Sequence, residues 1–241
     1  MKKDFLTRLA VAVLVIIAFI DGMMVAEKIQ EKPVDAREII NFEEIFKFLP
    51  KEEETEPQTT PQIIEETTIQ PEFTSQTPLG IWREPWDEYS EEACAYMAVK
   101  WALGEEMPDQ TQVANDLLAI GTWEGKVFGT SKQTSAAQTM EILTDYFGYH
   151  KVELQKATPD SLINLLNEGK IAILTVDGRI LQNPHYSNPA PAHHTILLTG
   201  YDQETKEFIT NDPGTRYGIS VRYSQQKILD SILDDAIIIS S

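Results

Sequence analysis

Residues 194–214 read HTILLTGYDQETKEFITNDPG. His194 to Asp202 is a run of apolar and β-branched residues. The polar segment Gln203–Lys206 interrupts it, Glu207–Thr210 resumes it, and NDPG closes it with turn chemistry. Two such runs on either side of a short polar turn predict a β-hairpin.

The same pattern extends outward. IAILTVDG (171–178), GISVRY (218–223) and DAIIIS (235–240) are further apolar or alternating runs bounded by turn residues, and SQQKILDSILD (224–234) reads as a short helix. Upstream the period changes. Helical spacing predicts helices over Glu88–Leu103, stopped by Gly104, over Asp109–Ile120, stopped by Gly121, and over Thr134–Phe147, stopped by Gly148. TPDSLINLLNEG (158–169) gives a fourth, capped by Thr158 and ended by Gly169. Helices followed by an antiparallel sheet make an α+β domain, starting near Phe73 and running to residue 241, a length that suits one core.

The chain before it reads differently. Lys2, Lys3 and Arg8 precede an apolar run from Leu9 to Ile20, the pattern of a signal peptide. The run is short for a membrane span, which takes about 20 residues. Only Asp21 and Gly22 separate it from MMVA, so residues 1–26 are read as a signal peptide or a signal-anchor transmembrane segment, with a buried core helix as the plainer alternative. The leading basic residues hold the amino terminus inside and send the rest out, to be secreted or held at the outer face of the cytoplasmic membrane. Residues 27–72 read as an acidic tether: KEEETEPQTTPQIIEETTIQPE (51–72) cannot bury enough apolar surface to offset chain entropy. Within it, Ile39, Phe42, Ile45 and Phe46 have the spacing of a short helix over 36–48.

The charge limits the partners. Against 38 Asp and Glu stand 20 Lys and Arg, a net charge of −18. No basic stripe is present to neutralise phosphates, so nucleic acid is not an expected partner. Membrane contact is expected only through the N-terminal segment.

Cys94 is the one cysteine, so an exported chain has no internal disulfide. A lone cysteine with histidines elsewhere is a candidate nucleophile, and a packed core cysteine is the alternative. The expected helix puts Cys94 in its first turns, where the helix dipole favours thiolate, although Glu91 and Glu92 oppose it. Of the four histidines, His150 follows a helix end and His185 sits in a polar loop. His194 opens a strand, and His193 points to the opposite face if the strand alternates. One cysteine and no His-x-x-x-His spacing give no expected metal site, and no cofactor is expected. Asn211 or Asp212 ends the paired strand beside His194 and is placed to orient its ring. Gln76 is a candidate oxyanion donor.

In this order, FTSQTPLGIW (73–82), EEACAYMA (91–98), HHTILLTGYD (193–202) and NDPG (211–214) resemble the papain-like cysteine peptidases that process bacteriocins by cutting double-glycine leaders, and their stand-alone exported relatives. The resemblance spans residues 73–241. It implies a papain-like fold with N-terminal helices packed on an antiparallel sheet, Cys94 as nucleophile, His194 as base, Asp212 as orienting acid and Gln76 as oxyanion donor. His194 rather than His193 matches, because an apolar strand and Gly200-Tyr201-Asp202 follow it. The chain departs from the leader peptidases in the 17-residue segment TPLGIWREPWDEYSEEA between Gln76 and Cys94, and in Ala95 after the cysteine. The resemblance therefore implies an exported thiol hydrolase acting on peptide or other amide bonds, its substrate a peptide, a protein or cell-envelope material. The alternative is a tethered domain that binds peptide or cell wall without turnover. Trp82, Trp86, Tyr89, Trp123 and Tyr186 are candidate cleft residues, and DGRILQNPHYSNPAPA (177–192) a candidate rim.

Overall fold

The computed structural model describes residues 69–241. The expected signal segment, the tether up to residue 68 and the helix over 36–48 lie outside the described residues. Within the described part, six helices and six strands follow one another: α1 (Ser90–Leu103), α2 (Gln110–Val127), α3 (Ala136–Glu141), β1 (Val152–Gln155), α4 (Pro159–Asn167), β2 (Ile171–Val176), α5 (Gly178–Leu181), β3 (His194–Asp202), β4 (Glu207–Asn211), β5 (Val221–Ser224), α6 (Gln225–Ser231) and β6 (Ala236–Ile239). A 3₁₀ turn, Trp86–Glu88, leads into α1.

Local chemistry sets most of the boundaries. Gly104 ends α1 in the left-handed conformation that a side chain resists, with φ of 66°. The Asp109 carboxylate accepts from the Thr111 and Gln112 amides and opens α2. Reciprocal Ser135–Gln138 and Thr158–Ser161 bonds open α3 and α4. Two boundaries differ from expectation. The helix expected over 134–147 is regular only to Glu141 and widens into a π-helical turn over Ile142–Tyr146. And α2 does not stop at Gly121 but runs six residues further. Gly121 serves packing instead: a Cβ there would lie 2.4 Å from the Tyr89 hydroxyl.

The strands form one antiparallel sheet in the order β1-β6-β2-β3-β4-β5. The expected hairpin is present, pairing Tyr201 with Phe208 and Asp202 with Glu207. Helices cover both faces of the sheet. Ile171, Ile173, Leu197, Ile237 and Ile239 pack against α1, α2 and α3. Ala172, Leu174, Ile196, Leu198 and Ile238 pack against Leu162, Leu165 and Leu166 of α4 and Ile228 of α6. This explains why β2 reads IAILTV without polar alternation: all six of its residues are buried, three on each side. The arrangement is the papain-like α+β fold, with α4 and α6 adding a layer on the face away from α1.

Candidate active site

β2 pairs with β3 so that Val176 faces His194, which sets His194 at the sheet's end, against the start of α1. β4 ends at Asn211, and the NDPG turn carries the next residue back under the histidine ring. His194 Nε2 lies 2.8 Å from Asp212 Oδ1, with both residues buried. Four further donors hold the Asp212 carboxylate. The Tyr186 and Tyr223 hydroxyls each donate to Oδ2 at 2.6 Å, Asn183 Nδ2 donates to Oδ2 at 3.0 Å, and the Gly214 amide donates to Oδ1 at 3.0 Å. Burial opposes the charge, yet the His194 ring, its hydrogen bond and the two tyrosine hydroxyls hold the Asp212 carboxyl below its ordinary range. Of Asn211 and Asp212, it is Asp212 that meets the His194 ring. Asn211 instead donates to the Pro71 carbonyl and accepts from the Ser220 amide, tying down the loops. Nothing in the sequence marked Asn183 or Tyr223 as part of this network. Tyr186 was expected only as a cleft aromatic, not as a partner of the carboxylate.

Gln76 is locked to the same turn, its amide donating to the Pro213 carbonyl at 3.0 Å. Its Nε2 donates to the Trp86 carbonyl at 3.3 Å, and its Oε1 has no hydrogen-bond partner. Between Gln76, the first turn of α1 and His194 lies a cleft of about 600 Å³. Ser90, Glu91, Tyr186 and His193 also line it. His193 was expected on the opposite face. It precedes β3, so strand alternation does not govern it, and its Nδ1 lies 3.3 Å from Glu91 Oε1. Of the candidate aromatics, Trp82 and Tyr186 line the cleft, while Tyr89, Trp86 and Trp123 pack in or against the core. The expected rim contributes His185, Tyr186, Ser187, Pro191 and Ala192.

Cys94 is not among the lining residues. Its exposure is 0 %, and it packs with Tyr89, Met97 and Leu197 in the core. Burial, and then the charges of Asp212, Glu91 and Glu92, push its thiol well above the ordinary range, the reverse of an activated thiolate. The helix opens at Ser90, two residues later than expected, so Cys94 does lie near its start; it is the face it occupies, packed into the core, that takes it out of the cleft. The nucleophilic side chain that α1 presents to the cleft is the Ser90 hydroxyl, which donates to Glu91 Oε2 at 2.8 Å. Among the described residues no cluster of His, Cys, Asp and Glu has the form of a metal site.

Residues 74–230 match the family model described as "Peptidase C39 like family". The chain belongs to this family. A crystal structure of a C39-like peptidase from Bacillus anthracis shares its fold, with a TM-score of 0.51 at 14 % identity over 74 % of this chain and 98 % of that one. No curated protein matches the sequence. The C39-like membership agrees with the resemblance carried by the four motifs, and the family and fold are those of cysteine peptidases.

Proposed function

We propose that this chain hydrolyses peptide or other amide bonds in the cleft at the head of α1, with His194 moving the proton and Ser90 supplying the nucleophilic oxygen. The observation that carries this reading is the buried His194–Asp212 pair opening onto the same cleft as Ser90. Asp212 on Nε2 fixes the ring's orientation and leaves Nδ1 as the base. As Ser90 Oγ bonds to the carbonyl carbon, its proton passes from Oγ to Nδ1. The free N–H groups at the start of α1 and the second Gln76 amide N–H are the candidate donors for the developing oxyanion. The imidazolium returns its proton to the leaving amine as the C–N bond breaks. Water, deprotonated by the same ring, then cleaves the Ser90 ester and restores the hydroxyl. A thiol mechanism through Cys94, the expectation from the sequence, would require the first turn of α1 to open.

The family supports a peptide or protein as substrate. The basic-then-apolar start of the chain supports export, with the segment either cleaved or kept as an anchor. Among the described residues no helix is long and apolar enough to cross a membrane, and residues 1–26 lie outside them. A second reading, binding without turnover, is favoured by the resting bond of the Ser90 hydroxyl to Glu91 rather than to His194.

A fluorophosphonate probe, with peptide-library turnover measured alongside, separates these readings. The expected result is labelling of Ser90 that needs His194, loss of turnover by about 10² or more in Ser90→Ala and His194→Ala, and retained turnover in Cys94→Ala. Fast, His194-dependent alkylation of Cys94 by iodoacetamide would return the nucleophile to the thiol. Peptide binding with neither label nor turnover would make the domain a binding module.

A further inference from the structure

We propose that the head of this cleft selects a cationic residue of the bound peptide, with Glu91 and Gln76 as the acceptors. The inference rests on the reading of the cleft as a peptide site and adds which peptides it takes.

Two oxygens carry it. Glu91 is 3 % exposed and lines the cleft; Ser90 Oγ occupies Oε2, and Oε1 makes no hydrogen bond, with His193 Nδ1 its polar neighbour at 3.3 Å. Gln76 is also 3 % exposed and lines the cleft, and its Oε1 likewise has none. The Gln76 amide is held in this sense by its Nε2 bond to the Trp86 carbonyl, since the reversed amide would set oxygen against oxygen. A buried acceptor without a donor costs on the order of 1–3 kcal/mol, which a ligand carrying N–H groups relieves. Two such acceptors beside one cleft call for a group with several donors.

Acids predominate in the surroundings, although burial raises the Glu91 carboxyl above its ordinary range and the His194 ring pulls it back down. Asp87 and Glu88 stand with Glu91 along the lining, and no Lys or Arg is among the described lining residues. His193, the nearest basic group to Glu91, is held below its ordinary pKa by burial and then by the charge of His194, so at neutral pH it supplies no counter-charge. Trp82 and Tyr186 add aromatic surface along which the methylene stem of Lys or Arg packs. An ammonium or guanidinium fits this lining. A carboxylate does not, because it would face three acids, and the one histidine charge nearby, on His194, is already paired with Asp212.

The test is the affinity of the His194→Ala chain, which stops turnover, for fluorescent peptides with both ends capped. They carry one central Lys, Arg, norleucine or Glu and are otherwise identical. The Lys or Arg peptide is expected to bind at least tenfold tighter than the norleucine peptide, with the Glu peptide weakest. Glu91→Gln should remove the Lys advantage and leave norleucine binding unchanged, and high salt should narrow the gap. Should Glu91→Gln fail to fold, Asp87→Asn with Glu88→Gln on the rim should narrow it in the same direction. An uncapped peptide without basic side chains tells whether the cation can be an α-ammonium; if only that peptide binds tightly, the subsite keeps its cation from that source. Equal affinity for Lys, norleucine and Glu peptides would overturn the cationic subsite alone. Absence of binding by every peptide would overturn the peptide cleft on which it rests.

Discussion

Glu92 and Glu124 face each other in the interior, and no third residue gives any of their four carboxyl oxygens a hydrogen bond. Burial raises both, and Glu124 is pushed up to about 7 from 4.5. The folded chain therefore holds a proton that the unfolded chain releases near pH 4.5. The stability this pair contributes is fully present below that pH and falls as pH rises toward 7, by roughly 3 kcal/mol for the Glu124 shift alone. Urea unfolding at pH 5 and pH 8 should show the loss, and the double variant Glu92→Gln/Glu124→Gln should flatten the difference. A wild-type slope no steeper than the variant's would contradict the shared proton. Single residues also mark how far the sequence could be read. His194 and Asp212, which the structure brings together, were singled out because a strand start and a turn each leave a local trace, and Gln76 through the resemblance. Ser90, which lines the same cleft, was not singled out, since a hydroxyl followed by two glutamates reads as an ordinary helix opening. Cys94 is as near the start of α1 as the sequence suggests, and only the packed fold shows that its side chain lies on the face turned to the core.

Among the elements, although the helix before Gly148 is regular only to Glu141, the stops at Gly104, Gly148 and Gly169 were legible, since all three adopt positive φ. Gly121 does not, and its role was invisible because it depends on Tyr89, 32 residues earlier. Gly121→Ala sets two effects against each other. Alanine favours the helix by about 1 kcal/mol. Its Cβ, however, would sit 2.4–2.6 Å from three atoms of the Tyr89 ring and hydroxyl, and overpacking of this kind costs about 1–3 kcal/mol. The clash should prevail, with a net loss of about 1 kcal/mol measured by thermal or urea unfolding; a gain in stability would show that the Tyr89 ring yields. β1 escaped notice for another reason. Its residues, VELQ, are largely exposed at the sheet's edge, where no buried face imposes a pattern.

The order of strands in the complete sheet could not be read at all, because local periodicity says that a run is a strand and not which run lies beside it. The hairpin β3–β4 was readable through its short connection, whereas β6, the last strand, pairs with both β1 and β2 in the interior. Its four residues, Ala236–Ile239, are all buried and contribute to the cores on both faces. Removing residues 236–241 should therefore leave β1 unpaired and both cores open. The expected outcome is a chain without a cooperative unfolding transition, seen by circular dichroism and calorimetry. A truncated chain that still melts cooperatively would mean that the rest of the sheet suffices.

The central place of β6 also has a consequence in time. On a ribosome the chain emerges amino end first, and the staple that joins the two parts of this sheet emerges after every other element of it. Helices and the β3–β4 hairpin can form early, but the sheet cannot close until β6 has cleared the exit.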